Sequence, residues 1–124
     1  MMGHPTMQET AWGGEFGTAY SQRQKLTVQS RAAMFRTAFS EIAISDLNFI
    51  IEFGAGTGDN LRALGEIGCD AHATGVEINP DSYHLLKQVA DEALLASVVG
   101  FRPTRTWDLV LTRGLLIHIH PKDL

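Results

Sequence analysis

The 124-residue chain predicts an α/β fold with a parallel sheet and a nucleotide-like ligand lying against bare backbone. Three adjoining stretches carry that prediction. Phe49 to Phe53 (FIIEF) sets four apolar residues around one carboxylate, the composition of a parallel strand buried on both faces. Gly54, Gly56 and Gly58 follow at alternate positions and make a tight turn that a side chain would obstruct. From Asp59 the apolar residues take helical spacing (Leu61, Leu64, Ile67) and stop at Gly68, a good C-terminal cap. Strand, glycine turn and helix in that order let a ligand meet a helix N-terminus.

Read in order, the chain begins with a loose arm, Met1 to Ala11. Thr18 to Ala43 has helical spacing, clearest in Phe35, Ala38, Phe39 and Ile42, with no proline or glycine inside it. Ser45 to Asn48 turns into the first strand. ATGVEINP, Ala73 to Pro80, reads as a second strand ending in Glu77, with Asn79 as helix N-cap and Pro80 at the first helical position. The helix that follows spans Asp81 to Ala90 and buries Leu85, Leu86 and Val89. Leu94 to Val99 is a short apolar run read as a third strand. Phe101 to Thr106, with Pro103, is a loop, and Trp107 to Thr112 is a fourth strand. Parallel strands need a crossover of about a dozen residues, so so short a loop is a departure from the usual pattern.

Composition narrows the function. A chain of 124 residues is one domain with a modest core. With 44% hydrophobic and 19% charged residues, it reads as an ordinary soluble protein. No apolar run approaches the ~20 residues of a membrane span. The N-terminus lacks the basic and apolar regions of a signal peptide. The lone cysteine, Cys69, forms no internal disulfide, which points to a reducing cytoplasm, and it reads as a small buried residue. A formal net charge of −4 offers no footprint for nucleic acid. Neither a membrane nor nucleic acid is an expected partner; a small molecule is.

Spacing selects the ligand. A dinucleotide turn of the form G-x-G-x-x-G would place its third glycine at position 59, which holds Asp59. Glu52, two residues before the first glycine, suits a cofactor with an ammonium group and would repel a pyrophosphate. Glu77 lies about twenty residues past the glycines, where a carboxylate accepts hydrogen bonds from ribose hydroxyls. Glu52, the turn and Glu77 together favour S-adenosylmethionine over NAD. The predicted cofactor contacts here are Glu52, Gly54, Ala55, Gly56, Gly58, Glu77 and Ile78.

At these residues the sequence resembles the class I S-adenosylmethionine-dependent methyltransferases, from about Asn48 to the C-terminus. WGGEFGTAYSQRQ (Trp12 to Gln24), IIEFGAGTGDNLRAL, TGVEINPDS (Thr74 to Ser82) and WDLVLTRGLLIHIHPKDL (Trp107 to Leu124) are similar to segments of the methylases associated with pseudaminic acid biosynthesis. That likeness spans nearly the whole chain and is weakest between Asp91 and Thr106. It implies a Rossmann-like class I methyltransferase fold of which this chain is the N-terminal half, with sheet order 3-2-1-4 and an N-terminal helical segment. Residues 1–46 would form the arm and helical cap, and 47–124 the cofactor-binding core, of a single incomplete domain. Strands five to seven of the family's seven-stranded sheet would be absent, as in a truncated product or one that completes its sheet with a partner. The fourth strand would then be an exposed edge and a route to homo-oligomers. The resemblance also implies a nonulosonic (pseudaminic) acid sugar or pathway intermediate as methyl acceptor.

Further residues follow from placement. His118 and His120 lie just past the fourth strand and are candidate general bases, both pointing one way if the segment is extended. The plainer reading is that one of them caps or underlies the next helix. Two histidines supply too few ligands for a metal. Tyr20 and Arg23, three apart on the N-terminal helix, would fold over the cofactor, with Arg23 on its carboxylate; a solvated helix face is the alternative. Thr112 and Arg113, with Gly114, fall beside the methionine part of the cofactor in the resembled fold. Trp12 and Phe16 read as a hydrophobic staple, and His84 as a surface residue. In the resembled family an acidic residue after strand three receives the adenine amino group; here Gly100 holds that position and no carboxylate lies between Glu92 and Asp108. Ser97 or a backbone carbonyl would have to substitute. Two function classes stand against each other: a small-molecule methyltransferase, and a non-catalytic cofactor-binding fragment or interaction module. An NAD-binding half-domain is a weaker third.

Overall fold

The computed structural model describes residues 5–15, 17, 18 and 28–124. Its elements are α1 (Met7–Gly13), α2 (Val28–Ala38), β1 (Phe49–Phe53), α3 (Asp59–Glu66), β2 (His72–Glu77), α4 (Pro80–Leu86), β3 (Glu92–Leu95) and β4 (Leu109–Thr112). Short 3-10 turns occupy Ile44–Asp46, Leu116–His118 and Pro121–Asp123. The four strands form one parallel sheet in the order β3-β2-β1-β4. This is the order that the methyltransferase resemblance implies.

The apolar run of β1 explains its place. Ile50, Ile51 and Glu52 are buried, and the strand pairs on both sides, Ile51 opposite Thr74 of β2 and opposite Val110 of β4. A strand sandwiched in this way has no polar face to offer. Ile50 packs with Ala32 and Phe35 of α2, Leu61, Ala63 and Leu64 of α3, and Leu86 of α4. Helix α3 ends where Gly68 takes φ +97° and the Cys69 N–H donates to the Leu64 carbonyl at 3.0 Å. Cys69 itself is half-buried against the core, less enclosed than the sequence suggests.

Register at the entry of the outer strands is set by two aspartates. The Asp108 carboxylate accepts the Asn48 and Phe49 N–H groups at 2.8 and 2.9 Å, tying the start of β4 to that of β1. Those two backbone donors hold the Asp108 carboxyl below its ordinary value. Asp91 does the same for β3, accepting the Ala73 N–H at 2.8 Å. These ties correct two strand boundaries. The third strand is Glu92–Leu95, not Leu94 to Val99, and the fourth begins at Leu109, not Trp107. The crossover therefore covers residues 96–108, about the length parallel strands require, so no departure from the pattern remains. It carries no helix; Phe101 anchors it, edge-on to Phe53 at 5.0 Å, while Arg105 lies 3.9 Å from the Phe49 ring centre.

Two helical expectations also shift. The arm is not loose throughout: Met7–Gly13 is a helix whose Thr6 hydroxyl accepts the Glu9 N–H and whose Glu9 carboxylate accepts the Thr6 N–H. Of the expected helix from Thr18 to Ala43, Val28–Ala38 is helical, residues 39–43 turn away from the helix, and residues 19–27 lie outside the described set. Helix α4 stops at Leu86, not Ala90, and Val89 turns back over the glycine turn. No helix among the described residues is long and apolar enough to cross a membrane. Val110, 56% exposed, sits on β4 at the end of the sheet.

Candidate functional site

The carboxyl ends of all four strands open into a cavity of about 530 Å³, a size that accepts a small organic ligand. The glycine turn forms its floor. The Gly54 and Ala55 N–H groups both donate to the Val76 carbonyl, at 2.8 and 3.0 Å, folding the turn onto the end of β2. Gly56 then takes φ +59°, and a Cβ built there meets no atom of the described residues within 4 Å. Its bare face looks into open cavity. Gly58 is glycine for a different reason: a Cβ there would come 3.0 Å from the Val89 side chain.

Glu77 reaches the turn from β2. One carboxylate oxygen accepts the Gly56 N–H at 2.8 Å and the other the Asn79 N–H at 2.7 Å. Burial raises its pKa, opposed by the backbone donors of Asn79, Gly56 and Ile78. Each oxygen keeps a lone pair for a further donor from the cavity, whose wall includes Glu77.

Glu52 is placed differently from expectation. It is fully buried behind the wall, and the Asn60 amide stands between it and the cavity. Asn60 Nδ2 donates to Glu52 Oε2 at 2.6 Å, and Arg31 Nη1 donates to Asn60 Oδ1 at 2.7 Å. Glu52 Oε1 has no hydrogen-bond partner among the described residues. Burial pushes its pKa up to about 8, against the Asn60 hydrogen bond and the charge of Arg31. A carboxyl in this state is largely protonated at neutral pH and orients Asn60 and Arg31; it does not itself touch the cavity. Sequence spacing sets Glu52 against an ammonium group; in the structure Asn60, bonded to Glu52, is the residue of the pair that lines the cavity.

The N-terminal segment roofs the site through Asn79. Its side-chain oxygen caps α4 by accepting the Ser82 N–H at 3.0 Å, as the sequence suggests. Its amide nitrogen donates to the Trp12 and Gly14 carbonyls, both at 3.1 Å, and to the Thr18 hydroxyl at 2.9 Å. Trp12 lies on His118, ring centres 4.3 Å apart, rather than acting only as a helix staple. Phe16 lies outside the described residues.

Of the predicted contacts, Gly54, Ala55, Gly56, Glu77, Ile78, Arg113 and His118 line the cavity; Glu52, Gly58, Thr112 and His120 do not. Tyr20 and Arg23 lie outside the described residues. His118 and His120 do not act as a pair. Leu116–His118 is a 3-10 turn, so the assumed alternation fails, and His120 Nδ1 accepts the Lys122 N–H at 3.2 Å as the cap of the next turn. Residues that sequence reasoning missed are Glu9, Arg31 and Asn60, all on helices and all in the wall. For Glu9 a trace existed in the T-x-x-E pattern of a capping box. For Arg31 and Asn60 none did. The arrangement joins arginines near β1 and β4 to carboxylates near β2 and β3, and suits an elongated ligand with an anionic end and a hydroxyl-rich middle.

Comparison with protein families matches residues 24–123 to a methyltransferase domain. No curated protein matches the chain. Several solved structures share its fold. The plantazolicin methyltransferase BpumL, in complex with SAH, aligns at 16% identity and TM-score 0.62 over 85% of this chain and 44% of its own. A sugar N-methyltransferase from Streptoalloteichus aligns at 23% identity and TM-score 0.61, over 92% of this chain and 45% of its own. Magnesium protoporphyrin IX methyltransferase from Synechocystis, with bound SAM, aligns at 13% identity and TM-score 0.67, over 96% and 67%. The fold is thus the Rossmann-like class I methyltransferase fold, and the chain spans less than half of the first two of these enzymes.

Proposed function

The chain belongs to the methyltransferase-domain family, and from that premise we propose that it binds S-adenosylmethionine and serves methyl transfer to a small, sugar-like acceptor. The observation that carries this reading is the bare face of Gly56 beside the Glu77 carboxylate: a cradle that a Cβ would fill, next to an acceptor for ribose hydroxyls. The donor set fits the cofactor. Glu77 would hold the ribose, Gly54, Ala55 and Gly56 offer backbone, and Arg31 and Arg113 in the same wall are cations suited to the cofactor's carboxylate. When bound, the cofactor's sulfonium supplies an already activated methyl group, so the protein need only orient the acceptor and exclude water.

Trp12 covers His118 at the wall, which restricts water there and makes His118 the candidate general base; His120, engaged as a cap, is the weaker of the two. The resemblance supports a nonulosonic (pseudaminic) acid sugar as acceptor, and the sugar N-methyltransferase among the structural neighbours fits that class. A single cysteine suits a cytoplasmic setting. A second reading, a non-catalytic cofactor-binding module that pairs through β4, is favoured by the exposure of Val110 at the sheet edge.

Incubation with methyl-labelled S-adenosylmethionine and a nonulosonic acid is the test. Label appearing in the sugar, with cofactor affinity weakened about 1–3 kcal/mol in Glu77→Ala, is the expected result. Cofactor binding without label transfer to any sugar would leave the non-catalytic reading standing. Unaltered affinity in Glu77→Ala would refute the ribose role.

A further inference from the structure

The strand order β3-β2-β1-β4 lays the cavity's contacts out in a row. Arg113 and His118 follow β4, the glycine turn follows β1, Glu77 ends β2, and Ala96, Ser97 and Val98 follow β3. Residues 93–107 contain no carboxylate. The structure nevertheless brings one to this end of the row. Glu9 of α1 lines the cavity, and its Oε2 accepts the Ser97 hydroxyl. Its Oε1 accepts the Thr6 N–H at 3.1 Å, and Ser97 Oγ in turn accepts the Val99 N–H at 3.0 Å. Two donors from different parts of the chain therefore fix the Glu9 carboxylate in the wall. A carboxylate so held is an acceptor with lone pairs to spare.

We infer that Glu9 selects the base: it accepts the exocyclic amino group of the adenine ring, a role for which residues 93–107 offer no carboxylate. This rests on the cofactor reading above. With the ribose at Glu77, the ring attached to it extends toward the last contact in the row, the Glu9–Ser97 pair. A 6-amino purine offers a donor there, while a 6-oxo purine offers an acceptor that the carboxylate repels. Glu9 is carried by α1, whose C-terminal end Asn79 ties to the core through the Trp12 and Gly14 carbonyls. The selectivity is thus supplied from a segment far from β3 in sequence, which compensates for the neutral residues at Ser97 and Gly100.

The test titrates wild type and Glu9→Gln with S-adenosylhomocysteine and with its 6-oxo counterpart, S-inosylhomocysteine. Wild type should prefer the adenosyl ligand by roughly tenfold or more. Glu9→Gln, whose amide can donate to a 6-oxo group, should lose roughly tenfold on the adenosyl ligand and close or reverse the preference. An equal loss on both ligands would mark Glu9 as merely a capping residue of α1 and overturn the inference, as would an unchanged ratio. If wild type binds neither ligand, the cofactor reading falls first and this assignment falls with it. Thermal unfolding of the variant separates a lost fold from a lost contact.

Discussion

Gly56→Val should abolish detectable binding of S-adenosylhomocysteine, a loss of at least about a hundredfold, while leaving a folded protein. The glycine sits at φ +59°, and the space its Cβ would enter contains no atom of the described residues within 4 Å. A valine there projects into the ligand's volume and moves the backbone from the positive-φ region, at a cost of about 1–3 kcal/mol in stability. Gly58→Val gives the contrast, because its Cβ would strike Val89 at 3.0 Å and so damage packing rather than the cavity. Calorimetric titration and thermal unfolding of both variants distinguish the two. A Gly56→Val protein that still binds with near wild-type affinity would show that the ligand does not approach this turn.

Glu52→Gln should flatten the pH dependence of stability. In the folded chain burial raises the Glu52 pKa to about 8, whereas the unfolded chain releases the proton near 4.5. The folded state thus holds a proton that the unfolded state gives up. Stability from that proton is fully present below about pH 4.5 and is lost as pH rises toward 8, at up to ~1.4 kcal/mol per pH unit. Glu77, also raised by burial, adds in the same direction. Glutamine stays neutral throughout and can still accept from Asn60 Nδ2, so the variant should match wild type near pH 5 and exceed it near pH 8. Denaturant unfolding at pH 5, 6.5 and 8 reads the slope. Parallel profiles for the two proteins would mean that Glu52 ionises normally and that the buried Glu52–Asn60 contact carries a full charge.

The sheet was legible wherever local pattern and burial agree. Phe49 to Phe53 and the start of α3 could be read because an apolar run, glycines and helical spacing all point one way. The third strand was misplaced because Leu94 to Val99 is apolar beyond the sheet: after a last bond from the Ala96 N–H to the Glu77 carbonyl the chain goes on to line the cavity, and the register is set by Asp91 on a β2 amide. That tie is tertiary and leaves no mark on the local pattern. The same holds at the site. Gly56 and Glu77 were legible because a turn and a strand end have spacing signatures, and Asn79 was legible as a cap. Its second task, holding the Trp12 and Gly14 carbonyls, joins segments more than sixty residues apart. Arg31 and Asn60 read as ordinary helix residues until α2 packs on α3 and brings them to Glu52. The paired histidines failed for a local reason: the chain after β4 coils into a 3-10 turn, so alternate residues do not share a face.

Titration of the purified chain with S-adenosylhomocysteine and, separately, with NAD tests the central claim most directly. Binding of S-adenosylhomocysteine with weak or absent binding of NAD is the result the site predicts, because a pyrophosphate at the glycine turn would face the Asp59 carboxylate in the first turn of α3. Tighter binding of NAD than of S-adenosylhomocysteine would contradict it, and with it the assignment of the glycine turn to a methyl-donor cofactor.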